Sequence, residues 1–274
     1  MKNIVVPVDF SIASICAANY AAKFCQLIGG ELHLLNVFHL PNPIKTLPIE
    51  LIITRDEIND TTHSQLKKIK ELLEKSNENC PIIHIASRNG NTIEEINNFG
   101  EYISGDIIIA GLKFKNPDKL NIGGSIIYRL LRHAKLPILI IPEGYEFILP
   151  EIIVYGVDGK AHHNSIEVQQ VKSIADAFKA KLIIEHIGEH IDSDMKNGII
   201  QQQELIFGNT THAYIFEENN NVTDALMDIT TNKKNAILVM TQNKHDLIER
   251  FSGFDQTQLI AASTKIPMMI LHES

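Results

Sequence analysis

The sequence predicts an α/β fold in two tandem domains, each a five-stranded parallel sheet with helices on both faces. Three observations carry this. Apolar runs of strand length alternate with stretches of helical period along the chain. The runs are continuously apolar rather than alternating, so both faces must be buried, as in a parallel sheet under helices. The second half of the chain then repeats the plan of the first.

In the first half the strand-length runs are Ile4 to Val8, Leu32 to Phe38, Ile82 to Ala86, Asp106 to Ala110 and Pro137 to Ile141. Between the first two, Ile15, Ala18, Ala22 and Cys25 recur every three or four residues, which sets them on one helical face. Ser11 suits the N-cap of that helix and Gly29-Gly30 its end. The Pro-rich stretch from Leu40 to Pro48 cannot be helical and is expected to cross the surface before a long helix around Arg55 to Lys75. A further helical run begins at Ile126. Strand, helix and strand in succession imply right-handed crossovers.

The repeat aligns Val8-Asp9 with Val157-Asp158, an offset of 149 residues, and Leu32 to Val37 with Leu182 to Ile187, an offset of 150. Leu136-Pro137 aligns with Ile266-Pro267 at an offset of only 130, so the second copy is shorter by about 20 residues toward its end. Its first helix carries Val168, Val171, Ala175 and Phe178 at the spacing of the first copy. A period this long is a tandem domain rather than a solenoid. The expected domains are residues 1–145 and 150–274, joined near Glu143 to Pro150.

Composition removes several function classes. The 274 residues carry 25 basic and 33 acidic side chains, a net charge of −8 with no long basic run, which disfavours a grip on nucleic-acid phosphates. No run approaches the length of a membrane span or a signal sequence, and a cytoplasmic protein is expected. The three cysteines, Cys16, Cys25 and Cys80, lack CxxC spacing, and Cys16 and Cys25 read as buried small hydrophobes. Among the 12 histidines, His186 and His190, and the adjacent His162-His163, lack a third ligand at metal spacing, so no metal site is expected. The GxSxG, HExxH and GxxxxGK[ST] motifs are absent.

In an open parallel sheet ligands bind beyond the carboxyl ends of the strands. The residues there are Asp9 after the first strand, Phe38 and His39 after the second, and a loop from Ala110-Gly111 to Gly123-Gly124-Ser125 after the fourth. Glycines let backbone N–H groups approach an anion, and Ser125 stands where a helix begins, so this loop suits a phosphate. On spacing alone it reads equally as a tight turn with an ordinary serine N-cap. Asp9 likewise reads either as a ligand contact or as a strand-end cap for the following turn.

The segments Val6-Pro7-Val8-Asp9-Phe10-Ser11, Leu34-Leu35-Asn36-Val37, Gly124-Ser125 and Leu131-Arg132-His133-Ala134-Lys135-Leu136-Pro137-Ile138-Leu139-Ile140 together resemble the universal stress protein family, fully over 1–143 and more weakly over 150–273. The resemblance implies tandem flavodoxin-like domains of the adenine nucleotide α-hydrolase type, with ATP or AMP in the first. Its nucleotide-binding members carry a loop of Gly, two residues, Gly, nine residues, then Gly and Ser or Thr. Here Gly111, Gly124 and Ser125 are in register, while Phe114 stands in place of the middle glycine.

By that resemblance the site comprises Pro7, Val8, Asp9, Val37, Ala110, Gly111, Lys113, Gly124, Ser125 and Ile126. Asp9 would meet adenine or its ribose, and the Val37 backbone the adenine edge. Gly111 with Lys113 would meet the ribose and first phosphate, and Gly124, Ser125 and Ile126 the remaining phosphates. The only metal expected is magnesium accompanying the nucleotide.

The resemblance also implies that the fifth strands, Pro137 to Ile141 and Pro267 to Leu271, pair as in a dimer, which would cover apolar edges. A further homodimer and an unidentified protein partner fit the same plan. In the second copy Asp158 persists, but Thr241-Gln242-Asn243-Lys244 replaces the glycine after strand four, so that copy is read as a half without a phosphate loop. The expected role is binding or signalling in a stress response, not catalysis. One alternative is a nucleotide-independent interaction scaffold with a vestigial site. Another is an adenylyl-transferring enzyme, which lacks its Ser/Gly-rich loop at Asp9-Phe10-Ser11-Ile12.

Overall fold

A computed structural model describes residues 1–40, 55–113, 126–158, 166–188, 192–218, 233, 235–242 and 264–272. The described residues fall into two compact units, one holding Met1–Lys113 and residues 126–136, the other running on from Pro137.

The first unit begins with strand β1 (Asn3–Pro7) and helix α1 (Ile12–Ile28). Ser11 is its N-cap, its hydroxyl accepting from the Ser14 amide, and Gly29 closes it with φ 69°, a left-handed turn that glycine adopts without a Cβ penalty. Strand β2 (Glu31–Phe38), helix α2 (Arg55–Ser76), strand β3 (Ile83–Asn89), helix α3 (Thr92–Tyr102), strand β4 (Ile107–Leu112) and helix α4 (Ile126–His133) follow. The strands lie in the order β3-β2-β1-β4. β1 runs parallel to both its neighbours, and β2 parallel to β3. Chain direction across the sheet reverses between β3 and β4. With right-handed crossovers, α1 and α2 cover one face and α3 covers the other.

Two details of the sequence expectation change. Ile15 is 38% exposed, whereas Ala18, Ala22 and Cys25 are buried as their spacing predicts, and Ala13, Ala17, Ala21, Tyr20 and Phe24 complete the buried side of α1. Cys16 is only half-buried, while Cys25 is fully buried and its thiol is pushed up to about 12 by desolvation. Helix α3 was not anticipated, although Asn91 caps it and Ile93, Ile96 and Phe99 turn one apolar edge inward.

The second unit contains β5 (Ile138–Pro142), β6 (Ile152–Asp158), helix α5 (Ile166–Phe178), β7 (Lys181–Gly188), helix α6 (Ser193–Phe207), β8 (His212–Glu218), β9 (Ala236–Gln242) and β10 (Met268–His272). Its order is β5-β10-β9-β6-β7-β8. All its pairings are parallel except that of β5 with β10, where Leu139 opposes Met269 antiparallel. Val168, Val171, Ala175 and Phe178 are all buried, as their spacing predicts. Residues 41–54, which include the Pro-rich stretch, lie outside the described residues, as do 243–263 after β9.

Candidate functional site

The site grows from the point where the chain leaves β1. Pro7 ends the strand, Val8 donates one last ladder bond to the Leu35 carbonyl at 2.8 Å, and the chain turns sharply at Phe10, whose φ is 62°. A left-handed non-glycine residue costs on the order of 1–2 kcal/mol, and such strain clusters where geometry serves a ligand. The turn lets the Asp9 carboxylate accept the Ser11 amide at 3.0 Å, while the Ser11 hydroxyl caps α1. Both roles read for Asp9 are therefore compatible: it caps the turn with one oxygen and stands at a strand end.

The side chain of Asn36 determines what lies open beside it. Backbone groups of β2 alternate between neighbours: Glu31 and Leu35 bond β1, whereas Leu32 and Phe38 bond the β3 side. Val37 therefore turns its N–H and C=O toward β1, and the next rung would join the Val37 amide to the Val8 carbonyl. Buried Asn36 takes that carbonyl instead, its Nδ2 donating at 2.6 Å. The N–H and C=O of Val37 are thereby left facing the space beyond β1. Replacing Asn36 with leucine removes the Val8 partner and should cost roughly 1–3 kcal/mol, read by denaturant unfolding. A loss below about 0.5 kcal/mol would refute this role.

On the other side, β4 presses against α1. A Cβ added to Gly111 would lie 2.0 Å from the Ala13 carbonyl oxygen, so only glycine fits there. These strand ends enclose a pocket of about 450 Å³, counting its open mouth. Its walls are Pro7, Val8 and Asp9 from the end of β1, Leu35 and Val37 from β2, and Ala110 and Gly111 from β4. Ser14, Thr92, Ile96, Ile126, Ile127 and Leu130 complete it from the helices.

Seven sequence-predicted residues thus share one cavity: Pro7, Val8, Asp9, Val37, Ala110, Gly111 and Ile126. Lys113 stands at the rim, its Nζ 3.7 Å from Asp9 Oδ2. Both partners are about half exposed, so this pair adds little stability, and the ammonium is available to an incoming anion. Gly124, Ser125 and Phe114 lie outside the described residues. The helix-borne wall residues Ser14, Thr92, Ile96, Ile127 and Leu130 were missed, because a sequence pattern shows that a helical face is apolar but not which end of a sheet it roofs.

Burial pushes the Asp9 carboxyl upward, but hydrogen bonds from Ser11 and Ser14 and the charge of Lys113 outweigh it and hold the group below the usual range. Asp9 is therefore an ionised acceptor at neutral pH. In chemical terms the pocket offers an apolar slot, a backbone donor and acceptor side by side on Val37, a carboxylate and a nearby cation.

The model of the universal stress protein family matches residues 1–142. A universal stress protein from Methanocaldococcus jannaschii is 27% identical over 142 residues, which span 51% of this chain and 81% of that protein. Among solved structures, a universal stress protein from Archaeoglobus fulgidus superposes with a TM-score of 0.79 at 16% identity, covering 99% of this chain and 98% of the other. A protein of unknown function from Pseudomonas aeruginosa gives a TM-score of 0.63 at 12% identity, covering 100% and 93%. At these identities the structural likeness speaks to the fold alone.

Proposed function

The chain belongs to the universal stress protein family, and on that premise we propose that its first domain, residues 1–145, binds an adenine nucleotide, ATP or AMP, in a signalling or binding role within a stress response. The observation that carries the proposal is the pair of open backbone groups on Val37 above an apolar slot that ends at the Asp9 carboxylate. An adenine edge presents one ring-nitrogen acceptor beside an exocyclic donor, which matches a single residue's N–H and C=O. A ribose hydroxyl then meets an ionised acceptor in Asp9. Phosphates would run toward Lys113 and the Gly124-Ser125 segment, with magnesium accompanying a triphosphate.

The same chemistry argues for binding without turnover. The polar side chains lining the described pocket are Asp9, Ser14 and Thr92. Asp9 is held ionised, and the Ser14 hydroxyl donates to the Ser11 carbonyl at 3.0 Å. Neither is arranged as a nucleophile with its base. The second domain, 150–274, is proposed to lack a phosphate loop and to serve structure or partner binding. A cytoplasmic location is part of the same proposal. No helix among the described residues is long and apolar enough to cross a membrane.

Phe114, in place of a loop glycine, favours a second reading, that of a nucleotide-independent scaffold. Thermal unfolding with ATP, with AMP and without nucleotide separates the two. Nucleotide at 100 times its Kd should stabilise the protein by about 2.7 kcal/mol. Asp9→Ala should weaken binding at least tenfold, beyond the loss of about 0.5–2 kcal/mol in unliganded stability that follows from losing its bond to the Ser11 amide. No shift at millimolar ATP or AMP would reject the nucleotide reading and leave the scaffold.

A further inference from the structure

At the opposite end of β2 from the pocket, three metal-ligating side chains converge. Glu31 and His33 are two residues apart on β2, so they share a face of the sheet, and His84 is the register partner of His33 on β3. One ligand atom from each of the three lies within 4.8 Å of the others. The two imidazoles stack with centroids 4.6 Å apart and planes 16° from parallel, and His84 Nε2 is 2.8 Å from Glu31 Oε2. From these positions we infer that Glu31, His33 and His84 bind a divalent transition-metal cation of the zinc class.

The donor set is the first reason. Two imidazoles and one carboxylate suit zinc and its neighbours in the first transition row, and leave a fourth position for water. Spacing is the second. Bonds of 2.0–2.2 Å at tetrahedral angles place ligand atoms roughly 3.3–3.5 Å apart, and because an imidazole binds a metal in its own plane, the cluster closes when the His84 ring rotates out of its stack on His33. The side chains that must move are those free to do so: His84 and Glu31 are 48% and 44% exposed.

His33 is the fixed member. It is buried, with Phe99 edge-on to its ring at 6.2 Å. Its surroundings also resemble the outer shell of a metal site. The Asn3 amide donates to the carbonyls of Ile103 at 2.8 Å and Ser104 at 3.4 Å, which turns Asn3 Oδ1 toward His33 Nε2 at 3.4 Å. An acceptor held in that way orients the imidazole through one nitrogen and commits the other to a ligand. Arg88, on the same face of β3 as His84, is engaged over the Phe99 ring at 5.8 Å.

The site lies about four residues along β2 from Val37, roughly 13 Å, so its occupancy does not depend on the nucleotide proposal. The test uses the full-length protein, stripped with a chelator and titrated with zinc chloride at pH 7.5 without nucleotide, by calorimetry and by imidazole NMR. One saturable equivalent is expected, with the His33 and His84 ring resonances shifting together. Glu31→Gln and His84→Gln each replace a half-exposed side chain and should weaken uptake at least tenfold at an unchanged fold. His63→Gln, at an exposed position on α2, should leave it unaltered. Absence of saturable uptake, uptake that persists in either Glu31→Gln or His84→Gln, or equal loss in His63→Gln would overturn the site.

Discussion

Gly111→Ala is expected to destabilise the first unit by roughly 3 kcal/mol or more and to abolish the proposed nucleotide uptake along with it. The new methyl would stand 2.0 Å from the Ala13 carbonyl oxygen and 2.9 Å from the Ser14 amide nitrogen. Both are backbone atoms in the first turn of α1, so no change of rotamer relieves the clash and the helix must retreat from β4. Retreat moves Ser11, whose amide donates to Asp9, and Ser14, which walls the pocket. Gly29→Ala is the natural comparison: its φ is 69°, yet a Cβ there meets nothing within 4 Å. That substitution should cost only about 1 kcal/mol, from the left-handed conformation alone. Urea unfolding of both variants reads the contrast, and equal losses would show that the contact of β4 with α1 does not govern Gly111.

The second large effect lies at Glu185 in β7, and it appears as a pH dependence. Glu185 is 3% exposed. Burial, with the charge of Glu217 adding to it and that of Lys233 opposing it, raises its carboxyl to about 7. A carboxyl whose folded value lies above its unfolded one stabilises the fold while it is protonated. Its contribution is complete below about pH 4.5 and is lost as pH rises through about 7. A difference of that size corresponds to about 3 kcal/mol. Glu185→Gln should therefore match the parent protein near pH 4 and exceed it in stability by up to about 3 kcal/mol at pH 8. Chemical denaturation across that range measures the difference. A gap that is constant with pH would show that Glu185 does not titrate between those limits.

Much of the first unit was legible because its determinants are local. Ser11 as a cap, Gly29 as a stop and the strand cores at Val5, Leu34 and Ile108 follow from side-chain chemistry within a few residues. Asp9 was legible as a candidate because a parallel sheet presents its ligands at strand ends, and strand ends can be read from where apolar runs stop. The same reasoning pointed to Phe38 and His39 after the second strand, whereas Val37, which lines the pocket, was reached only through the family resemblance. Ile15 and Cys16 were misjudged for the converse reason. Helical period identifies a face, but how much of that face is covered depends on how wide the neighbouring sheet is.

Alternation of strand and helix, a repeat near 150 residues and continuously apolar strands were sufficient to determine a tandem α/β plan, and they pointed to the carboxyl ends of the first sheet as the candidate site. Only the tertiary structure could decide which residues from distant segments meet. Asn36 reaches the Val8 carbonyl 28 residues away and so holds open the backbone of Val37. His33 faces His84 because the register of β2 on β3 aligns them, and a slip by one residue would turn one of them to the other face of the sheet. Register and helix-to-sheet spacing are set by packing the whole core at once, and no local stretch of the chain carries that information by itself.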